Sequence, residues 1–562
     1  MRVLLGVGKC ASVALLVWLA GCSQTLDFNE CAVDSDCRQF GVGLVCNEDA
    51  FCVVPDEEAP NNDTEGCQVD ADCADQAPRT SCQAGQCVEP VDPPNNQPNN
   101  TPNNANNEPP ECTTTRCVDA FGPNHICDRN GECVNALTPE CNKVVGPLER
   151  DDALIIGSIL PTQEFADIGL PIQQAAELAV EEINTVGGLP GGRRLVLIGC
   201  DSSGDSDKGR TSAEHLTDVL GVPALIGPAF STVYIDVATD VTIPGGVMSI
   251  SPSATTPLIT GLADEGLAWR TVASDLFQGI AISDLVRDTN YERVVAFNKG
   301  EAYGRGLSDK VNTELVALGE EGLFVREYAN PAEQAPDFGA IVNEALDAMP
   351  DAQVVLLLGT SEVIELIELY EIAVSERGLI PPRYILTDGG KSPEKWVEML
   401  GRGQVPEDLL TRIEGTEPDH QFQPHYDNFD LRYRRRFGAP AQVFSANAYD
   451  ATYILAYAIA TLPTTQEPTG QTVAKAVDKL IDGQRIEVGP NDISDALNAL
   501  QAGGSINFEG ASGPLDFDTS LGEAPANVAR WNIQERDNGQ IRFFVTGSYV
   551  IADDGTGTWT LD

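Results

Sequence analysis

Sixteen cysteines are the side chains whose number and spacing point most directly to chemistry. They occupy positions 10, 22, 31, 37, 46, 52, 67, 73, 82, 87, 112, 117, 127, 133, 141 and 200, and none occurs from 201 to 562. Thiols in such numbers stay reduced in a cytosol but pair as disulfides after export. The distribution therefore predicts an oxidising compartment and a disulfide-bonded N-terminal region.

Twelve of these cysteines form a repeat of about 22 residues that occurs three times. The segments 31–52, 67–87 and 112–133 read C-x5-C-x8-C-x5-C, C-x5-C-x8-C-x4-C and C-x4-C-x9-C-x5-C. A unit this short cannot bury an adequate core, so covalent closure must replace it. Zinc is the competing use of clustered cysteines, and the lack of a C-x2-C pair argues against it. We predict two disulfides per module, with three connectivities open.

The other polar side chains do not form a catalytic set. Gly187 to Gly192 is glycine-rich but follows a helical pattern and lacks the Lys-Ser/Thr of a P-loop. Neither a G-x-S-x-G nor an H-E-x-x-H sequence occurs. His420 and His425 lie in a polar segment and are predicted to be solvated rather than metal-bound. We predict no enzyme activity, catalytic residue, cofactor or metal ion.

The charge balance excludes one class of partner. Lys plus Arg number 35 and Asp plus Glu 85, so the formal net charge is −50. Such a field repels phosphate backbones, and no nucleic-acid partner is expected.

The first residues carry export signals. Arg2 and Lys9 precede an eleven-residue, mostly apolar run, Cys10–Ala20, which is too short to span a bilayer. The following Leu19-Ala20-Gly21-Cys22 resembles the lipobox of bacterial lipoproteins, in which the signal peptide is cut before a lipidated cysteine. The resemblance implies a signal peptide over 1–21 and a lipid anchor on Cys22. An ordinary signal peptide and a short membrane anchor are the alternatives.

Two linkers separate the three modules from one another. Pro55 to Gly66 is acidic and polar, and Val91 to Glu111 is rich in proline and asparagine. Such segments cannot bury enough apolar surface to fold. We therefore predict that residues 22–140 form a stalk, followed by a separate domain over 141–562.

From about residue 151 the sequence pattern changes and predicts alternating strands and helices. Short apolar runs predict buried parallel strands at 153–160, 195–200, 224–227, 247–251, 293–298, 354–358 and 384–387. Amphipathic patterns predict helices over 168–186, 207–220, 274–288, 302–318, 334–349 and 361–376. About 400 residues is too much for one such sheet, so an α/β domain of two lobes is expected. The ligand would lie in the cleft between them.

Seven motifs in order resemble the leucine/isoleucine/valine-binding protein family, which has the type I periplasmic-binding fold. They start with the helix and turn of Ala175–Arg194 and the ligand turn from Leu225 to Ser231. They continue with the following segments: the loop Ser251–Pro257, the crossover at Arg270-Thr271, the Y-G-x-G helix start at Tyr303–Gly306, the Y-D-A helix at Tyr449–Ala451, and the crossover Gly513–Asp518. The resemblance implies two Rossmann-like lobes joined by three crossovers, with lobe 1 at about 150–272 and 420–513 and lobe 2 at about 273–419 and 514–562.

Three departures separate the sequence from that family's better-known members. Phe230 stands where one cysteine of a family disulfide would be, and the loop Pro161–Gly169 is longer and lacks a matching aromatic residue. Leu358 is followed by Gly359-Thr360 rather than by a tyrosine. The fold assignment is unaffected, but specificity for branched-chain side chains does not carry over.

The resemblance also implies a ligand site, which would suit an amino acid or a compact amino-acid-like acid. Ser231 and Thr255 would receive the carboxylate through hydroxyls and free N–H groups, and the carbonyl of Ser253 would accept from the ammonium. From lobe 2, Tyr303 would cover the ligand and Asp388 would pair with the ammonium. The competing interpretation is that Ser231 and Thr255 only cap helices and Asp388 is solvated.

Phe165 is a candidate for the wall of the ligand's side-chain pocket. Cys141 and Cys200 remain outside the modules and are predicted to pair, because the first two strands are neighbours in the fold that the resemblance implies. The alternative is that Cys141 pairs within the third module and Cys200 stays a buried thiol.

These observations favour a lipid-anchored solute-binding protein of the bacterial envelope, on the periplasmic or outer surface. It would bind a small amino-acid-like ligand and deliver it to an ABC-type permease, with membrane contact only through its lipid. The alternative is a receptor-like or structural envelope lipoprotein that uses the same fold as a sensor or the cysteine modules as protein contacts.

Overall fold

The computed structural model describes residues 112–562 apart from 289–291, 420–423, 537, 552–556 and 562. Before residue 112 it describes only the backbone of four short strands, β1 (Val45–Cys46), β2 (Cys52–Val53), β3 (Ser81–Gln83) and β4 (Gln86–Val88). Cys22 and the predicted signal peptide lie outside the described residues. The chain divides into two compact units, 1–107 and 108–562.

The three cysteine modules share a backbone hairpin. In the third module, α1 (Thr114–Phe121) precedes β5 (His125–Cys127) and β6 (Cys133–Asn135). The last two cysteines of each module face each other across an antiparallel pair, as Cys46↔Cys52, Cys82↔Cys87 and Cys127↔Cys133. The common register supports the interpretation of the three segments as one repeated unit.

The third module is oxidised and packs against the domain that follows it. Disulfides join Cys112 to Cys127 and Cys117 to Cys133. Sulfur atoms of Cys112, Cys117 and Cys133 lie within 4.8 Å of one another, but they are in disulfides and are not free metal ligands. Ile126 belongs to the same apolar cluster as lobe 1 strand residues. The compact unit therefore starts before residue 141.

Lobe 1 begins with a six-stranded sheet in the order β12-β11-β10-β8-β9-β7. Its elements in chain order are β7 (Cys141–Val145), β8 (Ala153–Leu160), α2 (Ala166–Thr185), β9 (Arg194–Asp201), α3 (Ser206–Glu214), β10 (Ala224–Ile226), α4 (Ser231–Val237), β11 (Met248–Ser251) and β12 (Ala268–Arg270). Only β7 is antiparallel, and it covers the edge beside β9. Within it, Cys141 faces Cys200, and a disulfide joins them.

Lobe 2 contains an eight-stranded sheet in the order β14-β13-β15-β16-β17-β20-β21-β22. Its first part consists of α5 (Asp275–Asp288), β13 (Val294–Lys299), α6 (Ala302–Ala317), β14 (Phe324–Tyr328), α7 (Phe338–Ala348), β15 (Val354–Leu358), α8 (Val363–Arg377), β16 (Arg383–Leu386), α9 (Pro393–Gly401) and β17 (Ile413–Pro418). These five strands are parallel, and apolar runs predicted three of them, β13, β15 and β16. The sequences of β14 and β17 contain charged residues, and neither strand was predicted.

The chain then returns to lobe 1 and crosses once more. The returning elements are α10 (Pro424–Phe437), α11 (Ser445–Ala460), α12 (Gly470–Ala476), β18 (Gln484–Glu487), α13 (Ile493–Gln501) and β19 (Ile506–Glu509). The last strands, β20 (Val528–Glu535), β21 (Ile541–Ile551) and β22 (Gly557–Leu561), extend the lobe 2 sheet in antiparallel fashion. Three crossovers thus join two α/β lobes, which confirms the predicted fold class.

Alternation along the strands buries both faces of each sheet. Leu197 and Ile226 belong to the cluster that contains α2 and α11, whereas their neighbours Ile198 and Leu225 belong to the cluster on the opposite face. All sixteen residues of α11 are buried, because it lies between the lobe 1 sheet and the other returning elements. Among the described residues, no helix combines the length and apolar character needed to cross a bilayer.

The predicted histidine environment was wrong. His425 is 7% exposed rather than solvated, and its ring lies 3.6 Å from the carboxylate of Glu487. It lies in the first turn of α10, where packing of the returning helix excludes water. His420 lies outside the described residues.

Candidate functional site

A cleft of about 240 Å³ lies between the lobes, at the carboxyl ends of their parallel strands. Five of the six predicted ligand residues line it: Ser231, Ser253, Thr255, Tyr303 and Asp388. They follow β10, β11, β13 and β16, which come from both sheets. Separate strand ends therefore bring together residues that lie up to 157 positions apart, where a ligand of an open α/β sheet binds.

The lobe 1 wall presents hydroxyls and the start of a helix. Ser231 is the first residue of α4 and is 3% exposed, and its hydroxyl accepts a weak hydrogen bond from the Thr256 N–H at 3.4 Å. The first bond within the helix runs from the Tyr234 N–H to the Phe230 carbonyl, so the earlier N–H groups have no helical acceptor. This wall can accommodate a carboxylate.

A serine network holds the second lobe 1 loop in place. The Ser251 hydroxyl donates to the Pro228 carbonyl at 2.6 Å and accepts from the Ala254 N–H at 2.9 Å. The Ser253 hydroxyl donates to the Ala229 carbonyl at 2.8 Å. These bonds join the loop after β11 to the turn after β10, so the two predicted binding segments form one rigid wall.

Tyr303 reaches the cleft from the start of α6. Its hydroxyl donates to the Thr387 hydroxyl at 2.7 Å, and burial together with the charges of Asp388 and Asp275 raises its pKa well above the usual range. The two glycines of the Y-G-x-G motif are required for two different steric reasons. A Cβ on Gly304 would lie 2.2 Å from the Lys299 carbonyl, and one on Gly306 would lie 2.7 Å from the Thr256 hydroxyl of the other lobe.

Asp388 lies directly after β16 and is 5% exposed, so it is not the solvated residue of the competing interpretation. Gln278 Nε2 donates to its Oδ1 at 3.1 Å. Burial raises the pKa of Asp388 to about 6, and the charge of Glu417 acts in the same direction. The Lys391 ammonium acts against them but is itself bound to Glu417 at 2.6 Å. An incoming ammonium would therefore meet a carboxylate without a salt bridge among the described residues.

Phe165 does not line this cleft. It borders the adjoining pocket on the other side of the α2 start and meets Phe230 edge-to-face at 5.2 Å between ring centroids. Phe230, rather than Phe165, presents its side chain to the cleft. The sequence pattern did not distinguish the two, because their relative position depends on how two distant loops pack.

Several cleft residues were missed at the sequence level. Lys299 ends β13, and its position at a strand end was an available signal. The opposite wall is apolar and includes Pro171, Tyr433 and Phe444. Phe444 has a left-handed backbone with φ of 68°, which is uncommon for an aromatic residue and has no sequence signature.

The lobes contact each other beside the cleft. The Thr232 hydroxyl of α4 donates to Glu301 Oε2 at 2.8 Å and accepts from the Ala302 N–H at 3.0 Å. The Thr256 hydroxyl donates to the Ala302 carbonyl at 2.9 Å. These bonds exist only when the lobes are close together, so the structure represents a closed arrangement.

A family model for periplasmic binding proteins matches residues 156–537, which include most of both lobes and all five cleft residues. The chain belongs to the periplasmic binding protein family. Leu/Ile/Val-binding protein homolog 3 of Brucella melitensis is 26% identical over 336 residues, 59% of this chain and 84% of that protein. The chemotactic signal transduction system substrate-binding protein BasB of Halobacterium salinarum is 26% identical over 379 residues, 65% of this chain and 84% of that protein.

Solved structures confirm the fold of this family member. The leucine-binding protein LivK of Thermotoga maritima superimposes with a TM-score of 0.54 at 21% identity, over 70% of this chain and 97% of that one. A solute-binding protein of Rhodopseudomonas palustris, solved with 3,4-dihydroxybenzoic acid, gives a TM-score of 0.55 at 15% identity, over 71% and 97%. At these identities the likeness concerns the fold and carries no ligand.

Proposed function

We propose that this periplasmic binding protein captures an amino acid between its lobes on the exported side of a bacterial membrane, for import by an ABC-type permease. The observation that carries the proposal is the pairing of chemistries across the cleft. Hydroxyls and N–H groups of lobe 1 face a buried carboxyl group of lobe 2. A zwitterion leaving water needs both kinds of partner.

In this proposal, closure of the two lobes couples ligand binding to the conformation of the protein. Ser231, Ser253 and Thr255 belong to lobe 1, whereas Tyr303 and Asp388 belong to lobe 2. A ligand that bridges the two sets favours the closed state by the contacts that only closure provides. A transporter can recognise such a closed state. The names of relatives such as the Brucella melitensis homologue agree with an amino acid as the ligand.

The second candidate function is sensing. The BasB relative is a substrate-binding protein of a chemotactic signalling system, which shows that this family also includes signalling components. The three cysteine modules add a surface that simple capture does not require. A permease gene beside this one would favour import, whereas a neighbouring kinase or chemoreceptor gene would favour sensing.

The ligand site is tested by three substitutions. A thermal-shift screen of amino acids, small amides and aromatic acids selects a ligand, because binding to the folded state raises Tm. We expect Ser231→Ala, Thr255→Ala and Asp388→Asn each to weaken the affinity by roughly tenfold in isothermal titration calorimetry, since each removes a hydrogen bond to a charged group.

The control is Ser375→Ala, on an exposed part of α8 outside the cleft, which should bind as the parent does. If all three cleft variants keep the parent affinity, the binding site lies elsewhere. If only Asp388→Asn is neutral, the ligand is an acid without an ammonium group.

A further inference from the structure

Lys299 brings a buried positive charge to the cleft. It is the last residue of β13, lines the cleft and is 3% exposed. Its ammonium lies 5.1 Å from the ring centroid of Phe230 and 5.9 Å from that of Phe165. With the described part of the chain, it forms neither a salt bridge nor a side-chain hydrogen bond. Aromatic faces compensate only in part for the lost hydration of an ammonium.

The nearby carboxylates already have their own donors. Burial works against ionisation of Glu362, but Lys299 and the Thr360 and Tyr328 hydrogen bonds lower its pKa below the usual range. Its Oε1 accepts from the Thr360 N–H at 2.9 Å and from the Tyr328 hydroxyl at 2.7 Å, and it borders the adjoining pocket rather than the cleft. Glu301 caps α6 through the Tyr303 N–H at 3.0 Å.

A second donor lies on the same lobe. Ser361 lines the cleft and is 8% exposed, and its hydroxyl has no hydrogen bond within the described ranges. The N–H groups at the start of α8 are already bonded, since those of Val363 and Ile364 donate to the Thr360 and Ser361 carbonyls. Lys299 and Ser361 therefore supply an ammonium and a hydroxyl on the lobe 2 wall. These groups are suited to a carboxylate.

We infer that Lys299 and Ser361 form a subsite for a second carboxylate of the ligand, which makes the preferred ligand an acidic amino acid. This inference rests on the proposed function, in which the lobe 1 hydroxyls hold the α-carboxylate and Asp388 holds the ammonium. A side-chain carboxylate then gives the Lys299 ammonium the salt bridge that it lacks among the described residues. The competing role for Lys299 is to hold the two lobes together, because Phe165 and Phe230 belong to lobe 1 and the ammonium contacts both rings from lobe 2.

The test compares acids with their neutral, nearly isosteric amides. L-glutamate, L-glutamine, L-aspartate and L-asparagine are titrated at pH 7.5 into the full chain, its Lys299→Met variant and a Lys395→Met control. Lys395 is 54% exposed outside the cleft, so the control makes the same charge change without touching the site. We expect at least one acid to bind the parent roughly tenfold or more tightly than its amide. Lys299→Met should remove that preference and leave amide binding within about twofold.

Other outcomes overturn the inference. If both amides bind the parent more tightly than the acids, the acidic specificity is wrong while the proposed function stands. If Lys299→Met weakens the binding of acids and amides equally, Lys299 only holds the lobes together. If no amino acid binds the parent, the proposed function fails together with the inference. The acid-to-amide ratio of the parent decides the specificity even if Lys299→Met does not fold, and Lys299→Arg should then retain that ratio.

Discussion

At the residue scale, Asp388 couples binding to pH. A carboxyl group attracts an ammonium only when it is ionised, and burial raises the pKa of Asp388 to about 6. Desolvation is the largest effect, because Asp388 is almost completely buried. The Gln278 hydrogen bond and the Lys391 charge lower this pKa, whereas the Glu417 charge raises it. Asp275 is a second buried carboxyl group nearby, and its own pKa is raised by burial and by the charge of Asp388.

We therefore expect the affinity for a neutral amino acid such as L-glutamine to fall about tenfold from pH 8 to pH 5. Its own charges do not change over that range, so the change reports on the protein. Isothermal titration calorimetry at pH 5, 6, 7 and 8 measures it. Asp388→Asn is the control and should show a weak but flat profile. A flat profile for the parent would contradict the role of Asp388.

The raised pKa of Asp388 also affects stability, in the opposite direction. Raising the pH favours ligand binding but lowers this group's contribution to the free energy of unfolding. The folded state keeps the Asp388 proton up to about pH 6, whereas the unfolded chain loses it near its ordinary value. The folded state thus binds more protons between about pH 4 and pH 6, and this group's contribution to the free energy of unfolding falls as pH rises through that window. Asp388 is therefore retained at a cost in stability, which is typical of a binding residue.

At the element scale, β7 shows how a short strand connects the third cysteine module to lobe 1. It pairs antiparallel with β9, and its first residue, Cys141, is disulfide-bonded to Cys200 across 59 positions. Ile126 of the module and Ala136, which follows the module, belong to the core of this lobe. His215 Nε2 lies 3.0 Å from the Ala136 carbonyl, which adds a buried polar contact.

We expect the double substitution Cys141→Ala/Cys200→Ala to lower the free energy of unfolding by about 4 kcal/mol in the chain-entropy account, because a long loop is no longer closed. Urea denaturation without reductant measures the change. Cys112→Ala/Cys127→Ala is the matched comparison and should cost about 3 kcal/mol, since its loop spans 15 positions. An unchanged midpoint for the first variant would show that the bridge does not constrain the unfolded chain.

At the scale of the whole molecule, ligand binding and lobe closure are thermodynamically linked. Thr232 makes two hydrogen bonds from lobe 1 to lobe 2, to Glu301 and from Ala302. These bonds join the two lobes in the closed arrangement, and we expect them to be lost when the lobes move apart. A change at Thr232 should thus alter binding without direct ligand contact, since it does not line the cleft.

We expect Thr232→Val, which keeps the side-chain shape, to weaken ligand binding about 5- to 30-fold through the loss of roughly 1–2 kcal/mol of closure energy. Small-angle scattering should show a smaller ligand-induced decrease in radius of gyration at a fixed ligand concentration. Thr211→Val is the control, because that hydroxyl bonds only within α3, to the Asp207 carbonyl. Unchanged affinity would mean that the interlobe bonds do not contribute to closure.

The predicted lipid anchor on Cys22 is tested on the whole chain. We expect the chain made in a bacterial host to partition into the detergent phase of a Triton X-114 extraction, with a diacylglycerol on Cys22. Cys22→Ala should remain unprocessed and lack that lipid, whereas the neighbouring Ser23→Ala should behave as the parent does. A Cys22→Ala chain that is processed and still lipid-bound would reject this anchor.

The sequence alone determined the fold class and the order of the binding segments. Runs such as Ala153–Leu160 and Val354–Leu358 agree with the structure at both ends, because strands buried on both faces must be apolar throughout. Helix ends were less accurate. The helix predicted over 334–349 begins at Phe338, where Asp337 caps it through the Ala340 N–H. Motifs at strand ends identified five residues of the cleft, because sheet topology makes those ends converge.

Only the tertiary structure decided which side chains share the cleft. Phe165 and Phe230 are both aromatic residues near strand ends, and packing of distant loops placed Phe230 in the cleft and Phe165 beside it. Lys299 became a candidate only when the structure showed no salt bridge for it among the described residues, because Glu301 and Glu362 bond to other donors. The third module joined the compact unit because Ile126 finds its apolar neighbours across the fold. Contacts between segments far apart in the chain have no local sequence signature, whereas strand and helix periodicity does.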